Sequence, residues 1–289
     1  MDDEEDMLVA TVRAFIDREV KPTVREVEHA NTYPEAWIEQ MKRIGIYGLA
    51  IPEEYGGSPV SMPGYVRVTQ ELARGWMSLA GAMGGHTVVA KLLTLFGTAE
   101  QKRTYLPPMA TGELRATMAL TEPSGGSDLQ NISTTALPDG SEGLLINGAK
   151  TWISNARHSG LIALLCKTDP NATPRHRGIS IVLVEHGPGL TISRDLPKLG
   201  YKGVESCELS FDNFAAPASA VFRNQPDQKA VAFVEGSARI LHRLPQLEHA
   251  GSDFNLFQPH RTAPKTAAGH RKTVRQKWLR AGLFPPGVD

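Results

Sequence analysis

The residues best suited to chemistry form one short segment, residues 118–128, with the sequence MALTEPSGGSD. A strand-like start leads into a turn with two adjacent glycines, Gly125 and Gly126, which let the backbone approach a ligand closely or adopt positive φ. Successive turn amides can form a concave anion site, and Ser127 adds a hydroxyl donor, so a phosphate is a natural ligand. The alternative, which the residue types alone favour, is an ordinary hairpin turn in which Ser or Asp caps its own backbone.

Two further segments combine aromatic, hydroxyl and charged residues. Residues 147–155, NGAKTWISN, contain Trp152 and Ser154. Taken alone, Trp152 is most simply a core residue, because Trp buries a large area and usually finds one partner for its N–H. Residues 198–214, KLGYKGVESCELSFDNF, are followed by Pro217 and are, taken alone, typical of a polar strand edge.

The elements that must position these segments are helical in the first part of the chain. Apolar residues recur at helical spacing in residues 7–20, and the acidic residues before them suit a helix N-terminus. Pro34 falls at the start of a second helix, and Pro107-Pro108 ends the last one. The helices predicted after the first cover residues 36–44, 63–74, 79–96 and 99–105.

After Gly112 the pattern changes to short apolar or β-branched runs, separated by turn residues such as Asp139-Gly140 and Asn147-Gly148. The predicted strands cover residues 116–120, 133–137, 143–146, 151–154, 161–167, 178–185, 190–194 and 207–211. Helices followed by strands indicate an α+β fold, with an N-terminal α-helical domain followed by a small antiparallel β-barrel or sheet domain. The predicted regions are residues 1–114, residues 115–222 and an irregular C-terminal tail, residues 223–289.

The length and charge of the chain indicate which classes of partner are expected. The 289 residues suffice for a hydrophobic core, and the formal net charge of zero gives no sign of a nucleic-acid or membrane partner. From Val221 onward, eleven Lys and Arg face five Asp and Glu, and such a basic tail can have a partner of its own. Without interleaved aromatic residues, however, that tail gives little support for nucleic-acid binding.

Cysteine usage and the N-terminus favour a cytoplasmic protein. We interpret Cys166 and Cys207 as reduced core residues without a redox or metal role, because two cysteines are too few for a disulfide framework. The acidic start, residues 2–6, is unlike a signal or transit peptide. We find no apolar stretch near the roughly 18 residues typical of a membrane span.

The three segments together resemble the acyl-CoA dehydrogenase family. Residues 118–128 resemble its T-E-P-x-x-G-S-D signature, and residues 147–155 resemble its N-G-x-K-x-[FW]-I-[ST]-N element. Residues 198–214 resemble its K-x-G-x-[RK]-x-S-[DE]-[ST] and F-[DE]-[DN] segment. Residues 48–57 also match the family, where such a segment packs helices and shapes part of the acyl pocket. The resemblance spans nearly all of residues 1–222.

The resemblance implies FAD as the cofactor and an acyl-CoA thioester as the substrate. The residues that it places at the isoalloxazine ring are Met118, Leu120 and Thr121, with Gly126 and Ser127 at the pyrophosphate. It places Trp152 beside the flavin and has Ser154 donate toward the N5 edge. The residues that it places near the thioester and pantetheine are Ser127, Val204, Glu205 and Ser206, where Val204 departs from the common Ser.

The implied reaction is α,β-desaturation, in which a carboxylate removes the α-proton while a hydride passes from the β-carbon to the flavin. An electron-transfer flavoprotein or another acceptor would then take the electrons. The family continues into a four-helix C-terminal domain that supplies the catalytic Glu and most of a tetramer interface. From Ser237 onward this chain shares none of that domain's motifs. The catalytic base therefore stays unassigned, and Glu235 and Glu248 are the only acids near a plausible position.

Because of that divergence, we expect a truncated or frame-shifted chain that is inactive. We also expect it to lack the usual oligomer interface. One alternative is a non-catalytic fragment that binds flavin or acyl-CoA. Another is a flavin monooxygenase or oxidase on the same fold.

Overall fold

The computed structural model describes residues 3–141 and 143–222. The predicted tail, residues 223–289, lies outside the described residues, and so do Glu235 and Glu248. The helices are α1 (Asp3–Phe15), α2 (Val24–Ala30), α3 (Glu35–Ile44), α4 (Met62–Gly75), α5 (Met77–Phe96) and α6 (Ala99–Thr111). The strands are β1 (Ala116–Ala119), β2 (Thr135–Pro138), β3 (Gly143–Ser154), β4 (Leu161–Lys167), β5 (Ile179–Glu185), β6 (Leu190–Ile192) and β7 (Ser206–Pro217). The predicted α+β order, helices first and strands second, is confirmed.

The helical part forms around the apolar stripe of α1. Four acids occupy the first turn of α1, where the positive end of the helix dipole stabilises them. The helix continues into a π-helical turn, Ile16–Val20, so that one apolar face runs through the whole predicted segment. Val12, Ile16 and Leu72 have no exposed surface, and they belong to one core that also contains α3.

Helix α5 is the central helix between the helical part and the sheet. Among the residues that the structure describes, it is the one helix long and apolar enough to cross a membrane, so the expectation that no apolar stretch comes near roughly 18 residues was wrong. Half of its apolar window is buried inside the fold. It packs on α4, α6 and β1, and Gly85 lies close against Thr117 of β1. Its apolar character is therefore that of a core helix.

Helix α6 corrects the prediction that Pro107 and Pro108 end it. The helix runs through both prolines to Thr111 and ends at Gly112, whose φ of 76° forms the C-cap. Each proline removes one hydrogen bond to the carbonyl four residues earlier, at Arg103 and Thr104. Both of those residues are exposed, so water can satisfy the freed carbonyls.

The N-terminus of α6 is fixed by a capping box. Gln101 N donates to Thr98 Oγ1 at 3.1 Å, and Thr98 N donates to Gln101 Oε1 at 3.0 Å. We expect Thr98→Ala to lower the free energy of unfolding by about 1 kcal/mol, because it leaves the Gln101 amide without this acceptor. Urea unfolding measures the loss. Thr104→Ala, at an exposed position of the same helix, is the control, and an equal loss there would contradict a capping effect.

The sheet is mixed, whereas the sequence predicted antiparallel pairing. Its strand order is β1-β4-β2-β3-β7-β6, with β5 paired to β4. Strand β4 pairs in parallel with β1 and, at one position, with β2, while the other pairs are antiparallel. Parallel neighbours need a long connection, and here the β2–β3 hairpin lies between β1 and β4 in the chain. Local strand patterns carry no information on that long-range pairing.

Strand β3 also differs from the prediction of two strands separated by a turn at Asn147-Gly148. It is one strand of 12 residues with two register shifts against β7, at Ile146/Gly148 and at Lys150/Ile153. Gly148 has a φ of 142°, and a Cβ there would lie 2.6 Å from the Thr134 Cα. The glycine therefore serves a β-bulge with close backbone approach. The hairpin at Asp139-Gly140, in contrast, is present as predicted, between β2 and β3.

The two cysteines behave as core residues, as predicted. Both are free and buried. Burial raises the pKa of the Cys166 thiol to about 12 and that of the Cys207 thiol to about 11. Within residues 3–141 and 143–222, no group of three or more His, Cys, Asp and Glu residues is placed to hold a metal ion.

Candidate functional site

The glycine-containing segment is a tight turn with an open side. Glu122 and Gly125 exchange two backbone hydrogen bonds of 3.0 Å each, which matches the hairpin alternative for the local geometry. A Cβ on Gly125 would meet no atom within 4 Å, whereas one on Gly126 would lie 3.0 Å from the Thr121 Cγ2. Ser127 is exposed. The turn is therefore closed by its own backbone on one side and free to receive a ligand on the other.

Strand β1 presents a half-open apolar strip beside this turn. Met118 and Leu120, which directly follows β1, are half-buried and pack against the core, while the alternating residues Thr117 and Ala119 are buried. This alternation places Met118 and Leu120 on the same face of the strand. Such a strip suits the flat face of an aromatic ligand.

Trp152 lies in the second bulge of β3 and is the most unusual residue of the site. Its φ is 59°, a left-handed value that a bulky side chain rarely adopts. Its side chain is 55% exposed, so the simple interpretation as a core residue is wrong. Left-handed backbone at a non-glycine residue costs on the order of 1–3 kcal/mol and tends to occur at ligand sites.

The backbone strain at Trp152 predicts that the usual order of stability of Ala and Gly variants is reversed at this position. At a regular strand position, Gly is less stable than Ala by roughly 0.5–1 kcal/mol, but at a left-handed position Gly is favoured. We therefore expect Trp152→Gly to unfold at a higher urea concentration than Trp152→Ala. The same pair of substitutions at Thr151, which has no positive φ, should show the reverse order. The Ala variant proving more stable at both positions would contradict the strain.

Two hydrogen bonds bring the first two segments together. Thr151 N donates to Thr121 O at 2.9 Å. Thr117 Oγ1 donates to the Ser154 carbonyl at 2.7 Å. The end of β1 and the second half of β3 therefore lie side by side, with Ser154 half-buried at their junction.

A buried ion pair fixes the same junction, and the sequence analysis did not single it out. Lys150 Nζ donates to Glu122 Oε1 at 2.9 Å and to the Leu120 carbonyl at 3.0 Å, and the two side chains are 0% and 1% exposed. Glu122 also accepts hydrogen bonds from Ser133 N, Ser133 Oγ and Thr134 N. Glu122 lies in the segment 118–128 and Lys150 in the segment 147–155, so their places in the two family motifs were the sequence signal that could have identified the pair.

The pKa values in this pair follow from burial and hydrogen bonding. Burial alone would raise the pKa of Glu122, but the hydrogen bonds from Ser133, Thr134 and Lys150 outweigh burial and lower the pKa to about 2. Burial lowers the pKa of Lys150, and Glu122 opposes that shift. Glu122 is therefore a fixed carboxylate with no affinity for a proton near neutral pH.

The third segment divides into a buried and a site-facing part. Val204 has no exposed surface and packs in the core of the helices, so its side chain is not presented to a ligand in this structure. Glu205 contacts Arg157 at 3.2 Å and His158 at 3.6 Å. Ser206 pairs with Ser154 across β7 and β3. Of these three residues Glu205 is the partly exposed one, whereas Ser206 is buried beside Ser154.

Comparison with known proteins shows the family to which this chain belongs. A model of the acyl-CoA dehydrogenase N-terminal domain matches residues 2–113, and one of the acyl-CoA dehydrogenase middle domain matches residues 117–214. The chain belongs to the acyl-CoA dehydrogenase family. The predicted resemblance is therefore confirmed, and residues 118–128 and 147–155 lie within the part of the chain that matches the acyl-CoA dehydrogenase middle domain.

Curated members of the family share about a third of their residues with this chain. The (2S)-methylsuccinyl-CoA dehydrogenase of Cereibacter sphaeroides is 34% identical in an alignment of 235 residues that covers 75% of this chain and 41% of that protein. The mitochondrial isovaleryl-CoA dehydrogenase of Pongo abelii is 32% identical in an alignment of 263 residues that covers 89% of this chain and 60% of that protein. The chain thus spans about half the length of the curated relatives that it matches.

Solved structures of acyl-CoA dehydrogenases superimpose on the chain. The acyl-CoA dehydrogenase from Geobacillus kaustophilus gives a TM-score of 0.74 at 31% identity, covering 98% of this chain and 75% of that chain. The acyl-CoA dehydrogenase from Bacillus anthracis, solved in complex with FAD, gives a TM-score of 0.71 at 27% identity and covers 83% of this chain and 41% of that chain.

Proposed function

We propose that the chain is an FAD-dependent oxidoreductase of the acyl-CoA dehydrogenase type, acting on acyl-CoA thioesters. The observation that carries the proposal is the exposed, left-handed Trp152, held beside the end of β1 and the open glycine turn. A half-exposed Trp in strained backbone costs stability, and a ligand that packs on its ring would offset that cost.

The residues present fit a flavin at this place. Its ring would lie against Met118, Leu120 and Thr121, with Trp152 and Ser154 at its edge. The open side at Gly125 admits a pyrophosphate, and Gly126 leaves no room for a Cβ without displacing Thr121. Gly126 and Ser127 would hold the phosphates through the backbone and one hydroxyl. A bound flavin would supply the hydride acceptor for desaturation.

The thioester side of the site would be formed by Ser127, Glu205 and Ser206, with Val204 shaping it from within the core. Glu205 Oε1 is paired with the Arg157 guanidinium at 3.2 Å, and Glu205 Oε2 lies 3.6 Å from His158 Nε2. Ser206 N donates to Asp195 at 2.6 Å, which fixes the backbone at the start of β7. These residues would bind and orient the substrate, and none of them is assigned as the base.

A non-catalytic flavin- or acyl-CoA-binding protein is the second candidate, favoured by the state of the nearby carboxylates. Glu122 is buried against Lys150, and Asp128 caps the amide of Gln130. Glu205 is paired with the Arg157 guanidinium and also lies near the His158 ring. A general base contributes about 10²–10⁴-fold to the rate, so a chain without one would bind substrate and turn over very slowly.

The visible absorption spectrum of the purified protein, before and after acyl-CoA is added without oxygen, tests the proposal. A flavin spectrum that bleaches would support the dehydrogenase, with a base supplied from outside the described residues. A flavin spectrum that does not bleach would favour the non-catalytic protein. A colourless protein that takes up no added FAD would refute both.

The remaining partners belong to the same proposal. Reduced flavin would pass its electrons to an electron-transfer flavoprotein or to another acceptor. An oligomer would be expected of the family, and sedimentation of the purified protein would decide it. A cytoplasmic location stays part of this proposal; the fold covers half of the apolar window of α5, which argues against a membrane span by that helix.

A further inference from the structure

The Glu122–Lys150 pair joins three separate pieces of chain at one point. Lys150 lies on β3, two residues before Trp152, and its ammonium reaches back to the Leu120 carbonyl at the end of β1. Glu122 accepts three hydrogen bonds from Ser133 and Thr134, which precede β2. Four hydrogen bonds on one carboxylate, with Lys150 included, leave it no freedom to rotate.

The position of the pair within the two segments suggests more than a contribution to stability. Glu122 directly follows Thr121, and the register shift that aims Trp152 outward begins at Lys150. A buried polar network whose members are all hydrogen-bonded makes the segments that it joins rigid, because its members do not exchange partners with water. An apolar pair of similar volume is often equally stable, so stability alone does not require charges here.

We propose that the buried Glu122–Lys150 pair is a positioning device for the flavin site, setting the distance and angle between Thr121 and Trp152. The proposal rests on the proposed binding of FAD. Neither residue touches the cofactor, because both are enclosed beneath the strands. They act through the backbone of Thr121, which accepts from Thr151 N, and through the bulge that carries Trp152.

The test compares FAD affinity with thermal stability in Lys150→Met, Glu122→Gln and the double variant that carries both substitutions. Each single change leaves one buried charge unpaired and should lower the thermal midpoint. The double variant removes both charges, so its midpoint should rise above that of Lys150→Met. Its FAD dissociation constant, measured by flavin fluorescence titration, should stay about tenfold or more above that of the unaltered protein.

The decisive result is a double variant whose thermal midpoint recovers while its affinity for FAD does not. A purely structural pair would make FAD affinity recover together with the midpoint in the double variant, and that outcome would overturn the proposal. Wild-type affinity in any folded variant would overturn it as well. If the unaltered protein does not bind FAD, both this inference and the proposed function are overturned. If the unaltered protein binds FAD and the variants bind it equally well, only this inference is overturned.

Arg13→Met is the control, at an ion pair of the helical part that is more exposed than the Glu122–Lys150 pair. Arg13 on α1 pairs with Glu71 on α4 at 2.6 Å, so the substitution also breaks an ion pair between two elements, but within the helical part. The dissociation constant for FAD should stay within about twofold of the wild-type value, because distant sites act independently. The bound-flavin absorption band should also keep its wild-type shape in Arg13→Met and change in the double variant. Equal losses of affinity in both would overturn the positioning role.

Discussion

Gly57→Ala should lower the free energy of unfolding by about 3 kcal/mol, close to the upper range for an overpacked interior position. A Cβ on Gly57 would lie 1.9 Å from the carbonyl oxygen of Ile51 and 2.5 Å from its carbonyl carbon. Ile51 has no exposed surface, and the atoms that would have to move are backbone. The loop from Ile51 to Ser58 would therefore have to open. Urea unfolding, with the midpoint and slope both fitted, measures the loss.

The adjacent glycine provides the control for this expectation. Gly56 has a φ of 81°, but a Cβ on it would meet no atom within 4 Å. Gly56→Ala should therefore cost only the left-handed strain, about 1 kcal/mol. Similar losses at both positions would contradict the claim that steric contact with Ile51, rather than backbone conformation, decides the effect.

Replacing Glu122 should flatten the dependence of stability on acid pH. The folded pKa of about 2 lies below the ordinary value of 4.5, so the carboxylate contributes its full stabilisation above about pH 4.5. That contribution is lost as the pH falls toward 2, because the unfolded state binds the proton first. A difference of about 2.5 pKa units corresponds to a free energy on the order of 3 kcal/mol. In Glu122→Gln this part of the pH dependence should be absent.

The measurement is the free energy of unfolding at a series of pH values from about 5 down to about 2. Asp17 is the matched comparison, because hydrogen bonds from Arg74 and Lys21 lower its pKa to about 2 as well. Asp17 is exposed, and solvent screens such pairs, so Asp17→Asn should change the slope far less. Parallel profiles for the wild type and Glu122→Gln would show that the buried pair does not hold its charge as proposed.

The sequence was informative wherever one face of an element is regularly apolar. Residues 36–44 were predicted as a helix, and α3 is Glu35–Ile44. Strand β4 has the predicted bounds, 161–167, since its side chains are nearly all buried and the run is continuously apolar. The rules for Pro107 and for Asn147-Gly148 failed because they are local. In α6 the carbonyls that the prolines leave free lie on an exposed side of the helix, where water can satisfy them, and in β3 the glycine serves a bulge that packs closely against Thr134.

The candidate site was accessible mainly through its motifs. Residue types alone favoured an ordinary turn for residues 118–128 and a core position for Trp152. The resemblance named the residues that β1 and β3 bring together, but not the reason that they meet. A lysine is expected at the surface, and only the three-dimensional structure shows that Lys150 is enclosed against Glu122.

The third segment has a consequence for how the protein unfolds. Val204 belongs to the apolar core of the helices, although it precedes β7, and Lys202 O accepts a hydrogen bond from Ser78 of α5. A Cβ on Gly203 would lie 2.0 Å from the Trp76 ring, so the loop is fitted tightly into the helical part. The core of the helical part includes Val204 from the segment before β7, and a second core combines residues of α5 and α6 with residues of β4 and β5. Helices and sheet should therefore melt in one cooperative transition, and a chain cut between them would leave two halves that cannot fold independently.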